Sequence, residues 1–427
     1  LHKVSECKFI YKRNQEDCDM RNIRIFITLF FVLVLTSYGC KTEPVYDNDM
    51  GADAIAGPGS WLKGDLHSHT LYSDGDSPLA DVIDIAEAKG FDFFAVTDHN
   101  TSEPWDDPSF HSDNLTLLYG VEWTNEDGHA NILSNLPFNW DEISPTLSDG
   151  GDPQTAIEIA HNMQSFEQTV LFSINHPVNA FNCAWKYSFE ASKAADALEV
   201  WNGRWLLPTS NFQSVREVYD YYLKQGEKKS MVGGSDSHTH QADNIQTLYN
   251  DLGLPATWVY SPSKDGKDIL DSIRSGRTFV STSANGPRVL LKADIDYNPQ
   301  NPALVEYDIM MGDSIPESAI GKEVFFRVNV FGANIPSSIL VIKNGRPIIF
   351  GKDKKPVLVS APELADKKVK WAISFSRDYG LSFIDTPQKG DYYRVEVRQA
   401  KTWNSDAPLG ELLAGYMGAL SSPIYTW

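Results

Sequence analysis

Apolar and polar positions along this chain follow two regimes that change near residue 285. From Trp61 to Ser281, short apolar runs alternate with segments of helical period. Phe91–Thr97, Leu115–Glu122, His129–Leu133, Thr169–Asn175, Ala197–Trp201, Lys229–Gly233, Ala256–Tyr260 and Arg277–Ser281 read as strands. Helical periodicity covers 79–89, 153–168, 211–225 and 264–275, with Ser77-Pro78 opening the first helix and Gly90 closing it. Near-continuous apolar strands separated by helices predict a parallel sheet covered on both faces. The number of units, and the polar residues placed directly after strands, favour a closed or nearly closed β/α barrel. In such barrels functional side chains gather at the C-terminal strand ends.

After Asn285-Gly286-Pro287 the period falls to two and long helical patterns stop. Glu323–Val330, Ser338–Lys343 and Tyr392–Arg398 alternate, with turn signals at Asn344-Gly345 and Lys389-Gly390-Asp391 between them. The expectation for 285–427 is a small antiparallel β-sandwich. A chain of 427 residues exceeds one ordinary core, which agrees with two folded units at 61–284 and 285–427.

The first sixty residues belong to neither regime. Residues 23–35 are apolar except for Arg24 and Thr28; Arg21 precedes them and Thr36-Ser37-Tyr38-Gly39-Cys40 follows. A basic flank, a short apolar centre and small residues before a cleavage point are features of an export signal. The expectation is a leader and lipoprotein-type signal over 1–40 starting at Met20, a tether over 41–60, and membrane attachment only through a lipidated Cys40. The protein is then exported, to the periplasmic or outer surface of a bacterial membrane. Cys7 and Cys18 fall in the leader and only Cys183 lies in the body, so the folded part has no disulfide framework and no thiolate zinc site. The net charge of −20 argues against nucleic acid as a partner.

The chemistry concentrates at predicted strand ends. His67 and His69 end the first apolar run, and period two puts both rings on one side of a strand. Asp74, His99, Glu122, His129, His176, Asp236 and His238 occupy comparable places, so six of the ten histidines fall in this set. All nine are oxygen or imidazole donors, which suits Zn, Mn or Fe.

These residues sit in Asp65-Leu66-His67-Ser68-His69, Ser73-Asp74-Gly75, Thr97-Asp98-His99-Asn100, Gly120-Val121-Glu122, Asn175-His176-Pro177 and Gly234-Ser235-Asp236-Ser237-His238. In that order they resemble the motifs of the PHP (polymerase and histidinol phosphatase) superfamily, over about residues 61 to 282. Ser275-Gly276-Arg277-Thr278-Phe279-Val280, leading into a β region that ends Ser422-Pro423-Ile424, resembles the branch that includes carbamate and ester hydrolases. The resemblance implies a distorted seven-stranded β/α barrel carrying two to three divalent metals. One metal is implied at His67, His69, Glu122 and Asp236, a second at Glu122, His129 and His176, and a third at Asp74, His99 and His238. Asp98 is expected to orient a ligand histidine from behind.

A hydroxide bridging two such metals is available near neutral pH. Arg204, just after a strand, is placed to neutralise a small anionic substrate. His240 is a candidate proton donor to a leaving group, against the reading of an exposed loop histidine that also applies to His111 and His161. The leading expectation is a metal-dependent phosphoesterase. A metal-dependent carboxylic ester, carbamate or amide hydrolase is the alternative, and a non-catalytic surface binding lipoprotein the second.

Overall fold

The computed structural model describes residues 59–427 apart from 179–182, 204–207, 241–250, 299, 301–306, 334–336, 351–355, 358–376 and 400–415. The leader, Cys40, nearly all of the tether and Arg204 therefore lie outside the described residues. Among the described residues no helix is long and apolar enough to cross a membrane.

Seven strands build the part that carries the histidines: β1 (Ser60–Asp65), β2 (Phe93–Val96), β3 (Thr116–Asn125), β4 (Gly128–Ser134), β5 (Val170–Ile174), β6 (Ala197–Asn202) and β7 (Ser230–Gly234). They are hydrogen-bonded in chain order. Beyond β7 the chain returns to the first strand: Asp236 N–H donates to His67 O and His69 N–H to Ser237 O, both at 2.9 Å. Buried Asp65 fastens this seam, accepting from Ser235 N–H at 3.0 Å and Gly253 N–H at 2.7 Å. At the other end of the seam, β8 (Ala256–Ser261) pairs antiparallel with β1, and its Thr257 hydroxyl bonds both the N–H and the C=O of Gly233.

The sheet is mixed where an all-parallel one was expected. β4 runs antiparallel to both β3 and β5. Glu126-Asp127 is too short to cross back over the sheet, so β3 and β4 form a hairpin. This reversal puts the first residues of β4 at the same rim as the last residues of β1, β2, β3, β5, β6 and β7. The opposite end is closed by the helix Gly266–Arg274, whose Ile269, Leu270 and Ile273 join Leu62, Phe93, Leu118, Leu133, Leu171 and Val232 in one core. The helix expected over 153–168 stops at Asn162, because Ser165 Oγ accepts the N–H groups of Glu167 and Gln168 and turns the chain. Gly90, at φ 70°, ends the helix Leu79–Ala88 as expected, with its N–H on Glu87 O.

The change of pattern near residue 285 is a change of layering, not a break in the sheet. β9 (Thr278–Ser281) continues from β8, and β19 (Tyr416–Ser421) adds to it, followed by β18 (Tyr392–Gln399), β13 (Ser337–Lys343) and β14 (Arg346–Pro347). β20 (Ile424–Tyr425) pairs with β18, and β15 (Ile349–Phe350) with β16 (Pro356–Val357). A separate antiparallel sheet, in the order β11 (Ile309–Met310), β10 (Arg288–Asp294), β12 (Val324–Phe331), β17 (Tyr379–Asp385), shares a core with the first. Val289, Leu291, Phe326, Val328 and Phe383 belong to that core together with Ile339, Val341, Tyr393, Val395 and Val397.

Alternation along β18 explains how these strands meet the rest. Tyr393, Val395 and Val397 enter the shared core, which leaves Arg394, Glu396 and Arg398 on the other face. That face is buried against the helical segment 208–224. Arg394 grips Asp220 with two bonds, at 2.9 and 2.8 Å, and Glu396 with a third at 2.8 Å; Arg398 bonds the second oxygen of Glu396. Burial would raise the Glu396 carboxyl, but the Arg398 and Arg394 guanidinium groups hold it well below the usual carboxylate range. Glu396→Gln is therefore expected to lower stability at pH 7 by about 3–5 kcal/mol, the usual consequence of breaking a buried pair. A depressed carboxyl contributes above its unfolded pKa of ~4.3 and loses that contribution as pH falls. Urea midpoints should therefore converge between wild type and variant below that pH; a constant difference would contradict the assignment.

Candidate metal centre

The chain after β1 carries His67 and His69 into the rim, both with fully buried rings. The period-two expectation holds: each presents Nε2 to the same two carboxylates. His67 Nε2 is 3.2 Å from Glu122 Oε1 and 3.3 Å from Asp236 Oδ1. His69 Nε2 is 3.4 Å from Glu122 Oε2 and 3.2 Å from Asp236 Oδ1. Two ligand atoms on one tetrahedral zinc, each at ~2.0–2.1 Å, stand ~3.3 Å apart. His67 Nε2, His69 Nε2 and Glu122 Oε2 are buried without a hydrogen-bond partner, and so is His176 Nδ1. A buried polar atom left in this state is costly, and the three that converge, on His67, His69 and Glu122, fit a bound cation.

Glu122 is the centre of the group. It lies fully buried on β3, and Asn175 Nδ2 donates to its Oε1 at 2.8 Å. His129, at the start of antiparallel β4, places Nδ1 3.2 Å from the same oxygen, so the hairpin itself supplies this residue. His176 Nε2 is 3.5 Å away. His99 Nδ1 stands 2.8 Å from Glu122 Oε2 and contacts Thr124 Oγ1 at 2.7 Å.

Asp74, more exposed than the rest, extends the group outward. Its Oδ1 is 3.2 Å from His238 Nε2 and 3.6 Å from His99 Nε2. Four overlapping sets have the compactness of an ion site: His69, Asp74, His99 and His238; His67, His69 and Glu122; His67, His176 and Asp236; His99, Glu122 and His129. All nine expected ligands thus stand in one cluster. Glu122 is shared between sets as expected, and His69 is shared as well, between the inner and outer groups.

Backbone and charge both carry strain here. His176 has φ 24° and Asp236 φ 53°, the left-handed region that residues other than glycine rarely enter. Each such residue costs on the order of 1–3 kcal/mol and persists only where its surroundings impose it. Burial would raise the Glu122 carboxyl, but His67 and His99 hold it well below its ordinary range. The same opposition acts on Asp236, where His67 and His69 prevail over burial. Burial pushes His69 down to about 4, while Asp74 and Asp236 outweigh burial at His238 and push it up to about 9.

Two expected roles come out differently. Asp98 orients no histidine directly. Its carboxylate accepts from Thr70 N–H at 2.8 Å, Thr70 Oγ1 at 2.7 Å and Ser73 Oγ at 2.6 Å, and so shapes the loop that presents Asp74. Only Ser73 Oγ, 3.5 Å from His69 Nδ1, connects it to a ring. His240 is neither an exposed loop residue nor free for proton transfer, since Nε2 contacts His69 O at 2.9 Å and Nδ1 contacts Ser237 Oγ at 3.3 Å. His161 lies remote from the cluster, paired with Asp196 at 2.9 Å, and His111 is exposed. Sequence reasoning missed Asn175 as a support for Glu122, although it lies in the Asn175-His176-Pro177 motif, and it missed Glu199 beside His67 altogether.

Residues 65–199, about a third of the chain, match the model of the PHP domain family. This stretch resembles a PHP domain. The match contains His67 through His176, whereas Asp236 and His238 lie beyond it and reach the PHP cluster through β7. No curated protein sequence matches the chain. Among solved structures, the chain is similar to a two-domain protein from Bacteroides vulgatus containing a predicted PHP-like metal-dependent phosphoesterase. Identity is 16% over 89% of this chain and 100% of that one, with a TM-score of 0.39. It is also similar to PsfC from Pseudomonas syringae (15% identity, 53% of this chain and 93% of that one, TM-score 0.37). A sulfate-bound, metal-free amidohydrolase from Chromobacterium violaceum gives 14% identity over 41% of this chain and 87% of that one, at a TM-score of 0.27.

Metal and fold should be thermodynamically linked in this unit. Adding Mn²⁺ or Zn²⁺ to chelator-stripped protein at a hundredfold excess over Kd is expected to stabilise it by about 2.7 kcal/mol, read as a rise in Tm. An unchanged Tm with every metal tried would argue against a built ion site.

Proposed function

We propose that the protein is a metal-dependent hydrolase that cleaves phosphoesters of small anionic molecules. The observation that carries this reading is the convergence of three buried, unpartnered donor atoms, on His67, His69 and Glu122, within the stretch that matches the PHP domain model. On this reading the curled strands β1–β7 are the distorted seven-stranded barrel of the family, and the strands after residue 285 are a β-sandwich unit joined to it.

The chain's own residues divide the work. His67, His69, Glu122 and Asp236 hold an inner cation, His129 and His176 hold a second against Glu122, and Asp74, His99 and His238 hold an outer one. Two to three Zn, Mn or Fe ions in these places supply an acidified water near neutral pH and positive charge for the phosphoryl oxygens. Asn175 fixes the Glu122 carboxylate that both inner sites use. Asp98 holds the Thr70–Ser73 loop, so that Asp74 reaches His99 and His238 from the solvent side. Arg204, two residues beyond β6 in the chain, is proposed to meet the substrate's negative charge. The leader and Cys40 are proposed to make the protein an exported lipoprotein.

The double variant His67→Ala/His69→Ala in purified protein is expected to lose bound metal and at least the ~10–100-fold in activity that changes outside the ligand set typically cost. Aryl phosphates with added Mn²⁺ or Zn²⁺ should be turned over by wild type. Turnover of aryl esters, carbamates or amides in their place would move the reading to the second hydrolase class. Metal uptake without any hydrolysis would leave a binding protein.

A further inference from the structure

One buried carboxylate contacts the cluster from the middle of an apolar strand. Glu199 lies on β6 within Ala197-Leu198-Glu199-Val200-Trp201-Asn202 and is 2% exposed. Its Oε1 is 3.0 Å from His67 Nδ1. Its Oε2 accepts from the backbone N–H of His176 at 2.9 Å and from Asn202 Nδ2 at 2.9 Å. Asn202 Nδ2 also donates to Asp236 Oδ2 at 3.2 Å. One buried carboxylate therefore touches the ring of one expected ligand and the backbone of a second, and reaches a third through an amide.

We propose that Glu199, with Asn202, is the positioning pair of the metal centre: it fixes His67 with its proton on Nδ1, leaves Nε2 for the cation, and sets His176 and Asp236 in register with it. The inference rests on the reading of those three residues as ligands. Two features of the fold are built around this contact. Residues three apart on a regular strand face opposite sides, yet Glu199 and Asn202 meet, because β6 carries a bulge. Its register against β7 shifts between Glu199 and Trp201, which pair with the consecutive residues Val232 and Gly233. Bulges next to active sites re-aim side chains in this way. Opposite the bulge, Gly234 leaves room for the carboxylate, since a Cβ there would stand 2.6 Å from Glu199 Oε1 and collide with the His67 side chain.

A carboxylate behind a ligating imidazole fixes the tautomer and makes the ring a stronger donor, and losing it typically costs about 10–100-fold in metal affinity. Gln is not a silent replacement. If its oxygen faces His67, its NH₂ faces the two donors on His176 and Asn202. If its NH₂ faces His67, the imidazole proton moves to Nε2 and blocks the metal. Glu199→Ala, Glu199→Gln and Asn202→Ala are tested by calorimetric titration of the chelator-stripped full chain with Zn²⁺. Histidine ¹⁵N–¹H correlation spectra report the His67 tautomer in the Zn²⁺-loaded proteins.

Both Glu199 variants should bind the tightest Zn²⁺ about 10–100-fold more weakly, and Glu199→Ala should lose the fixed Nδ1–H signal. Asn202→Ala should weaken binding less and keep that signal. If wild type and variants bind Zn²⁺ equally and share one tautomer, the positioning role is wrong. A lowered Tm in the metal-free variants with unchanged Zn²⁺ affinity also overturns it, because Glu199 is then only structural. Wild-type protein that takes up no Zn²⁺ contradicts the ligand reading itself, which is a different result. Should Glu199→Ala fail to fold, the Gln and Asn202 variants decide the question on the same two readouts.

Discussion

Two carboxylates, fully buried Glu122 and partly buried Asp236, are held against imidazole rings. Everything at the rim follows from that constraint. An isolated buried carboxylate is prohibitive, so the surroundings must supply positive charge. Neutral imidazoles supply only dipoles. Protonated ones meet the need for His67 and His238, but burial opposes this at His69. A cation between these groups satisfies the carboxylates and the unpartnered ring nitrogens at once. In that sense a bound ion would complete the fold of the rim as much as its chemistry.

The fold meets this requirement by topology. Reversing β4 brings His129 to the rim from the start of a strand, while His67, His99, His176, Asp236 and His238 arrive from beyond strand ends. The seam at Asp65 then closes the segment after β7 onto the segment after β1, which places Asp236 beside His67 although the two are far apart in the chain. The helix Gly266–Arg274 and its apolar face close the opposite end. The C-terminal strands add a further anchor through the buried Asp220–Arg394–Glu396–Arg398 chain, beneath the helical segment that follows β6.

Much of this was legible in the residues. The apolar runs mark β1 through β9 to within a few positions, and the nine donors stand out because each begins, ends or follows a run. The readings that failed did so for physical reasons. Asp98 is expected to orient a ligand histidine, but its carboxylate is taken up by Thr70 and Ser73, contacts that come from the loop after the first strand and leave no mark beside Asp98 in the sequence. His240 looked like a loop residue because backbone capture of a ring by His69 O leaves no mark in the sequence. Glu199 escaped notice because a charged residue inside an apolar strand reads as an exception, and the bulge that turns it inward depends on pairing with β7. The continuity of the sheet past residue 285 depends in the same way on β9 meeting β19, a long-range pairing with no local signature.

The central claim is that the rim of strands β1–β7 is built around metal ions, with His67 and His69 as inner ligands. Anomalous diffraction from crystals of the full chain soaked in Mn²⁺ tests it most directly. A peak within coordinating distance of His67 Nε2, His69 Nε2, Glu122 and Asp236 is the predicted result. Well-ordered rings bonded directly to those carboxylates, with no anomalous peak among them, would contradict it.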